Sequence, residues 1–217
     1  MHETLQAQLP QSTHETRFWW VRHARVPEID HRMYGSLDVD SDVTDLPLFK
    51  GVAARLPKDA HWITSPLKRT KQTADALIAA GASAASWEED ADIIEMNFGA
   101  YNGMSLQALY ALRDDPYLGF WPMSPHHNAP DGESFSLLVD RVARFVTRMQ
   151  NERMGQDVVC VAHRGTILAA LHIALKLPLD TSVSFDIDNV SLTRLIHHAD
   201  VPKGGPKYRV RDVGWVP

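Results

Sequence analysis

VVCVAHRGTI, residues 158–167, is the stretch whose reading decides the fold. Its first five residues are apolar without alternation. That pattern fits a strand covered on both faces, as in a parallel sheet. The strand then runs into His163, Arg164 and Gly165, where a new helical segment, TILAALHIAL (166–175), begins and stops before Pro178. FWWVRHA (18–24) reads as another buried strand, and it closes on Arg22 and His23. Buried strands do not normally finish on a cation beside an imidazole.

Working outward, WITS (62–65) reads as another strand. It leads into SPLKRTKQTADALIAAG, with Ser65 expected as the N-cap, Pro66 at the first helical position and Gly81 as the stop. Apolar residues at Phe135, Leu138, Val139, Val142, Phe145, Val146 and Met149 fall at helical spacing. Arg141, Arg144 and Arg148 lie mostly on the opposite face. SLTRLIHH (191–198) and YRVRDVG (208–214) read as a late, more exposed hairpin. Strands alternating with helices predict an α/β fold, a mixed and mainly parallel sheet in a three-layer sandwich. One domain is expected over residues 16–217, after a loose tail over 1–15. A segment rich in Trp, Pro and His, at about 100–132, is expected to form a lid.

Bulk properties narrow the function. The formal net charge of −5 opposes general nucleic-acid binding. The single cysteine, Cys160, cannot form an internal disulfide, so a reducing compartment and a cytoplasmic location are expected. No apolar run reaches the ~18 residues of a membrane span. A cysteine-dependent phosphatase needs an arginine six positions after its nucleophile, and that position here is Thr166. No GxxxxGK[ST] loop is present. The pairs His126-His127 and His197-His198 lack partners at a metal-ligand spacing.

Parallel strands deliver their carboxyl ends to one edge of a sheet, where ligands bind. Arg22 and His23 end one strand and His163 another; Arg69 sits in the first turn of the helix that leaves a third. Two arginines and two histidines thus meet helix N-termini at one rim. Guanidinium forks match phosphate oxygens, and an imidazole nitrogen can attack phosphorus.

VRHA, SPLKRTKQTA, EMNFGAYNG, DGES and VVCVAHRGTI, in this order, resemble the histidine phosphatase superfamily, also called the phosphoglycerate mutase-like family. The resemblance spans roughly 17–198, and SPLKRTKQTA is its most specific block. It implies that His23 is the nucleophile, forming a phosphohistidine. Arg22 and Arg69 would grip the phosphate, His163 would stabilise the transferring group, and Glu95 would protonate the leaving oxygen. Asp92 is the fallback acid; Phe98 and Tyr101 are candidates to exclude water from Glu95. No metal and no cofactor is implied, and the partner is a small phosphorylated substrate. Two departures stand out. Ala24 replaces the family's glycine, and Ile29 stands where the family often has an asparagine. Arg25 is the candidate to replace that asparagine. The expected activity is a phosphomonoesterase, the resemblance including α-ribazole-phosphate phosphatases and broad small-molecule phosphatases. A phosphoglycerate mutase-type phosphotransferase and a non-catalytic phosphate-binding regulatory protein are the alternatives. Substrate recognition is expected from the lid residues Tyr117, Phe120, Trp121, His126 and His127.

Overall fold

The computed structural model describes residues 14–27, 31–112 and 121–217. Six strands form one sheet: β1 (Glu15–Arg22), β2 (Ala60–Thr64), β3 (Ala84–Glu89), β4 (Asp157–Ala162), β5 (Leu192–His198) and β6 (Tyr208–Trp215), in the order β3-β2-β4-β1-β5-β6. β3, β2, β4 and β1 are mutually parallel, and β5 runs antiparallel to both β1 and β6. Six α-helices are described: α1 (Leu46–Ala53), α2 (Lys68–Ala79), α3 (Leu106–Ala111), α4 (Phe135–Glu152), α5 (Arg164–Leu175) and α6 (Leu179–Ser182).

The three layers follow from the alternation of side chains along each strand. Phe18 and Trp20 of β1, Ile63 of β2, and Val158 and Cys160 of β4 point to one face, where α4 and α5 cover them. Trp19 and Val21, Trp62, and Val159 and Val161 point to the other, beneath α1 and α2. Hence the continuous apolar run of β4: both faces are core. The seven apolar residues expected to face inward from α4 are its buried residues. Ser134 caps that helix by accepting from the Leu137 N–H. Cys160 is a buried core thiol, pushed up by desolvation.

Some boundaries differ from expectation. α2 begins at Lys68 behind an N-cap at Leu67, rather than behind Ser65. The Ser65 N–H still donates to the Val161 carbonyl, extending the β2–β4 ladder by one residue, so the chain turns only after it. Gly81 follows α2 with φ +110°, as its stop role requires. Glu15 already belongs to β1; the rest of the expected tail, apart from His14, lies outside the described residues. β3, α1 and α3 have no counterpart in the sequence reading. Of the 100–132 segment, Trp121, Met123 and Ala129 pack into the core, whereas Tyr117 and Phe120 lie outside the described residues. Among the described residues, no helix is long and apolar enough to cross a membrane.

Candidate active site

Register brings the two histidines together. In the parallel β1–β4 pair Arg22 stands beside Ala162, so the next residue of each chain, His23 and His163, emerges at the same edge. The His23 N–H donates to the Ala162 carbonyl at 2.9 Å, locking that alignment. The ring centres lie 5.2 Å apart, about one strand spacing. The loop after β1 is tied down on both sides. The Ala24 N–H donates to Thr73 Oγ1 at 2.8 Å, and Asn189 donates to the His23 carbonyl at 2.8 Å.

The imidazoles differ in their bonding. His23 Nδ1 lies 2.6 Å from the Ala24 carbonyl. A carbonyl only accepts, so Nδ1 carries the proton and Nε2 keeps its lone pair. Neither ring nitrogen of His163 has a hydrogen-bond partner among the described residues. Both rings are held well below the usual imidazole range. For His23 the causes are burial, then Arg69, then Arg22, opposed by the bond to Ala24. For His163 they are burial, Arg69, His23, Arg141 and Arg22. The site therefore holds two neutral imidazoles near two guanidiniums, an arrangement that sets an imidazole lone pair beside donors suited to an anion.

Arg69 is fully buried and lacks a carboxylate partner among the described residues. Its terminal nitrogens donate to the Leu37 and Gly35 carbonyls, its Nε has no partner, and its guanidinium lies 5.1 Å from the Tyr34 ring centre. Among the described residues two of its five donors are thus used, which leaves others to offer an anion. Arg22 donates to the Ile187 carbonyl at 2.6 Å, and its Nε has no partner among the described residues.

Glu95 arrives from the segment between β3 and α3. Its carboxylate accepts from the Met96 N–H at 2.9 Å and from the Gly165 N–H at 3.3 Å. The second donor belongs to the first turn of α5, where free N–H groups point outward. A Cβ at position 165 would lie 2.4 Å from Glu95 Oε1, so a side chain there would displace the carboxylate. Asp92, the fallback acid, is committed elsewhere, paired with Arg144 at 3.2 Å and Arg148 at 3.4 Å.

Arg22 and Glu95 also line a cavity of about 270 Å³, together with Arg32, Tyr34, Trp121 and Arg164 among others. Neither imidazole forms part of that wall, and both are buried. Phe98 shares the cavity wall with Glu95, as a drying residue should; Tyr101 does not. The structure does not bring Arg25 to the cavity. Its side chain is exposed and its charge acts on Asp42. Ile29 lies outside the described residues. His127 stacks on Tyr101, His198 pairs with Glu15 at 3.2 Å, and His197 packs on Tyr208. No group of three or more metal-ligating side chains occurs among the described residues.

Sequence reasoning left several cavity residues without a role, among them Arg32, Tyr34 and Arg164. Arg164 directly follows the second histidine, and that adjacency was the available signal.

The chain is 30% identical over 152 residues to phosphoglycerate mutase-like protein 4 of Arabidopsis thaliana, a match covering 68% of this chain and 66% of that protein. It thus spans just under two thirds of that relative's length. The structure superposes on mycobacterial glucosyl-3-phosphoglycerate phosphatase with a TM-score of 0.76 at 23% identity, covering 92% and 98% of the two chains. A candidate alpha-ribazole-5'-P phosphatase from Escherichia coli gives a TM-score of 0.73 at 17% identity, covering 91% and 95%. Residues 18–204 match the family model of the histidine phosphatase superfamily (branch 1), and these comparisons together with the paired histidines at the sheet edge make this chain a member of that superfamily.

Proposed function

We propose that the protein is a phosphomonoesterase that acts through a phosphohistidine on His23. The observation carrying this reading is the pair of buried, neutral imidazoles 5.2 Å apart with Arg69 and Arg22 acting on both. Uncatalysed phosphate-monoester hydrolysis is so slow that enzymes accelerate it by up to ~10²¹-fold, and no single side chain supplies that. Position and charge must share the task. In the first step His23 Nε2 forms a bond to phosphorus while the ester P–O bond breaks. Glu95 gives its proton to the departing oxygen. Arg22, Arg69 and His163 stabilise the charge on the equatorial oxygens. In the second step water attacks phosphorus, the P–N bond breaks, and Glu95 takes the proton back. Nδ1–H, held by the Ala24 carbonyl, steadies the imidazolium that phosphorylation creates.

A base-quenched single turnover with p-nitrophenyl phosphate tests this, because an imidazole P–N bond survives base. Label is expected on His23, and His23→Ala is expected to lose both label and phosphate release. Label on His163 alone overturns the assignment. Phosphate binding without turnover on any ester favours the regulatory alternative. Transfer to a bound acceptor without release to water favours the phosphotransferase. The natural ester is a question for a screen of phosphorylated metabolites, with α-ribazole phosphate as the member raised by resemblance.

A further inference from the structure

Resting on that phosphotransfer reading, we infer that Glu133 and Arg141 are a positioning pair for Glu95. They hold the main chain of the proton donor against α4 and so set where its carboxyl meets the leaving oxygen. The glutamate of DGES (131–134) then serves the reaction as well as the packing of α4.

Arg141 reaches from the second turn of α4 to the segment between β3 and α3. Its Nη1 donates to the Asp92 carbonyl at 2.9 Å and its Nη2 to the Glu95 carbonyl at 3.1 Å. Nε and Nη2 also donate to the Glu133 carboxylate, at 3.2 and 2.7 Å, the fork geometry in which guanidinium and carboxylate match. One planar group thereby ties three points of the chain together. Arg144 and Arg148, on the same helix, pair instead with the side chains of Asp92 and Asp90. The side chains of Arg141 and Glu133 are only 11% and 18% exposed, so solvent screens this pair far less than a surface one.

Glu133 secures the far side of the acid. The Asn97 N–H donates to Glu133 Oε1, and the Glu133 N–H donates to the Asn97 carbonyl, both at 2.9 Å. Asn97 Oδ1 accepts in turn from the Gly99 N–H at 2.9 Å and from Ser36 Oγ at 3.2 Å. The approach is close enough that a Cβ at Gly132 would run into the Asn97 carbonyl. The main chain is therefore held at residues 92 and 95 by Arg141 and at residue 97 by Glu133, while the Met96 and Gly165 N–H groups hold the Glu95 carboxylate itself. Neither Glu133 nor Arg141 lines the cavity, so both act through Glu95. Arg141 is also among the charges that depress His163, which sets the pair close to the reacting groups. A proton donor misplaced by about 1 Å can lose about 10²-fold in rate, and a shell of this kind prevents that.

The test is a double-mutant cycle read on p-methoxyphenyl, phenyl and p-nitrophenyl phosphate, esters matched in shape and graded in leaving-group basicity. Arg141→Gln is expected to lower kcat/KM on the first two by about 10²-fold and on p-nitrophenyl phosphate far less, because that leaving group needs little protonation. The inhibition constant of inorganic phosphate should move much less than kcat/KM. In a Glu95→Gln background the same substitution should add almost nothing, since residues that act as a unit are not additive. Arg141→Lys keeps the charge without the fork and should recover only part of the loss. Glu133→Gln keeps the shape of the acid, should show the same contrast more weakly, and covers the case in which Arg141→Gln does not fold. Equal loss on all three esters, or full additivity with Glu95→Gln, would reduce the pair to a packing element and overturn the inference, leaving the phosphatase reading intact. Wild type that turns over p-nitrophenyl phosphate alone would have no working donor to position, and the inference would fall with the role of Glu95. If no ester is hydrolysed, the phosphatase reading falls too.

Discussion

At the scale of single residues, His23 and His163 couple chemistry to stability. Each is buried among cations, and each is held below its ordinary value of 6.5. Between that lowered value and about 6.5 the unfolded chain binds protons that the folded chain refuses. Stability contributed in this way is complete above about 6.5 and is lost as pH falls through the window. The slope is up to about 1.4 kcal/mol per pH unit for each ring. Urea denaturation at pH 7, 6 and 5 should show wild type losing stability faster than His163→Gln, which removes one of the two groups. Parallel losses would mean that other groups govern the acid limb. The sequence made these two histidines legible because a charged ending on an apolar strand is anomalous by itself. Arg164 stands in a helix-opening turn where an arginine is ordinary, so adjacency to His163 was its one signal; its contact with Trp121, from a distant segment, appears only in the fold. Adjacency to His23 says nothing about the side-chain direction of Arg25, which is exposed and whose charge acts on Asp42.

At the scale of elements, legibility followed burial. β4 and β1 were readable because both faces are core, and α4 because its stripe is continuous. β3 was not, since AASWEE is an exposed edge strand with neither a β-branched run nor alternation. α1 buries only Phe49, Val52 and Ala53, too few to set a period. Two predictions belong here. α4 is pinned to β1 by Phe145, whose ring meets Trp20 edge-on at 5.8 Å. Phe145→Ala should cost about 3–5 kcal/mol in chemical denaturation. The first turn of α5 lies against the Glu95 carboxylate, so on the proposed mechanism it bears on chemistry as well as packing. A methyl at position 165 would meet Glu95 Oε1 at 2.4 Å and Leu138 Cδ2 at 2.9 Å. Gly165→Ala should therefore push the carboxylate aside and slow alkyl phosphate hydrolysis by about 10²-fold or more, the usual worth of a general acid. p-Nitrophenyl phosphate, whose leaving group needs little protonation, should suffer far less. Glu95→Gln should show the same contrast. Equal loss on both esters would place the damage in the phosphate cradle.

At the scale of the whole molecule, the topology concentrates charge of one sign where the net charge is of the other. The chain carries −5, yet the carboxyl ends of β1 and β4 and the helices that follow gather Arg22, Arg69 and Arg164 at one edge, with Arg32 beside them. None of the four has an acid partner among the described residues, so the local field is positive against an acidic surface. Clefts of this kind concentrate oppositely charged ligands, and the effect weakens with ionic strength. The screening length shrinks from about 10 Å at 0.1 M salt to about 3 Å at 1 M. Across that range KM for a dianionic ester should rise by about tenfold, the low end of what focusing supplies, with kcat nearly constant. Arg32 is exposed and so fully subject to screening, whereas Arg69 is buried and much less so. Arg32→Gln should accordingly flatten the dependence of KM on salt more than it lowers kcat. Repeating the titration with chloride and with acetate separates screening from occupancy of the site, because screening depends on ionic strength alone. A KM that stays flat in both salts would mean that Glu95 and the carbonyls of Gly35, Leu37 and Ile187 already neutralise the arginines, leaving the cleft no net attraction for its substrate.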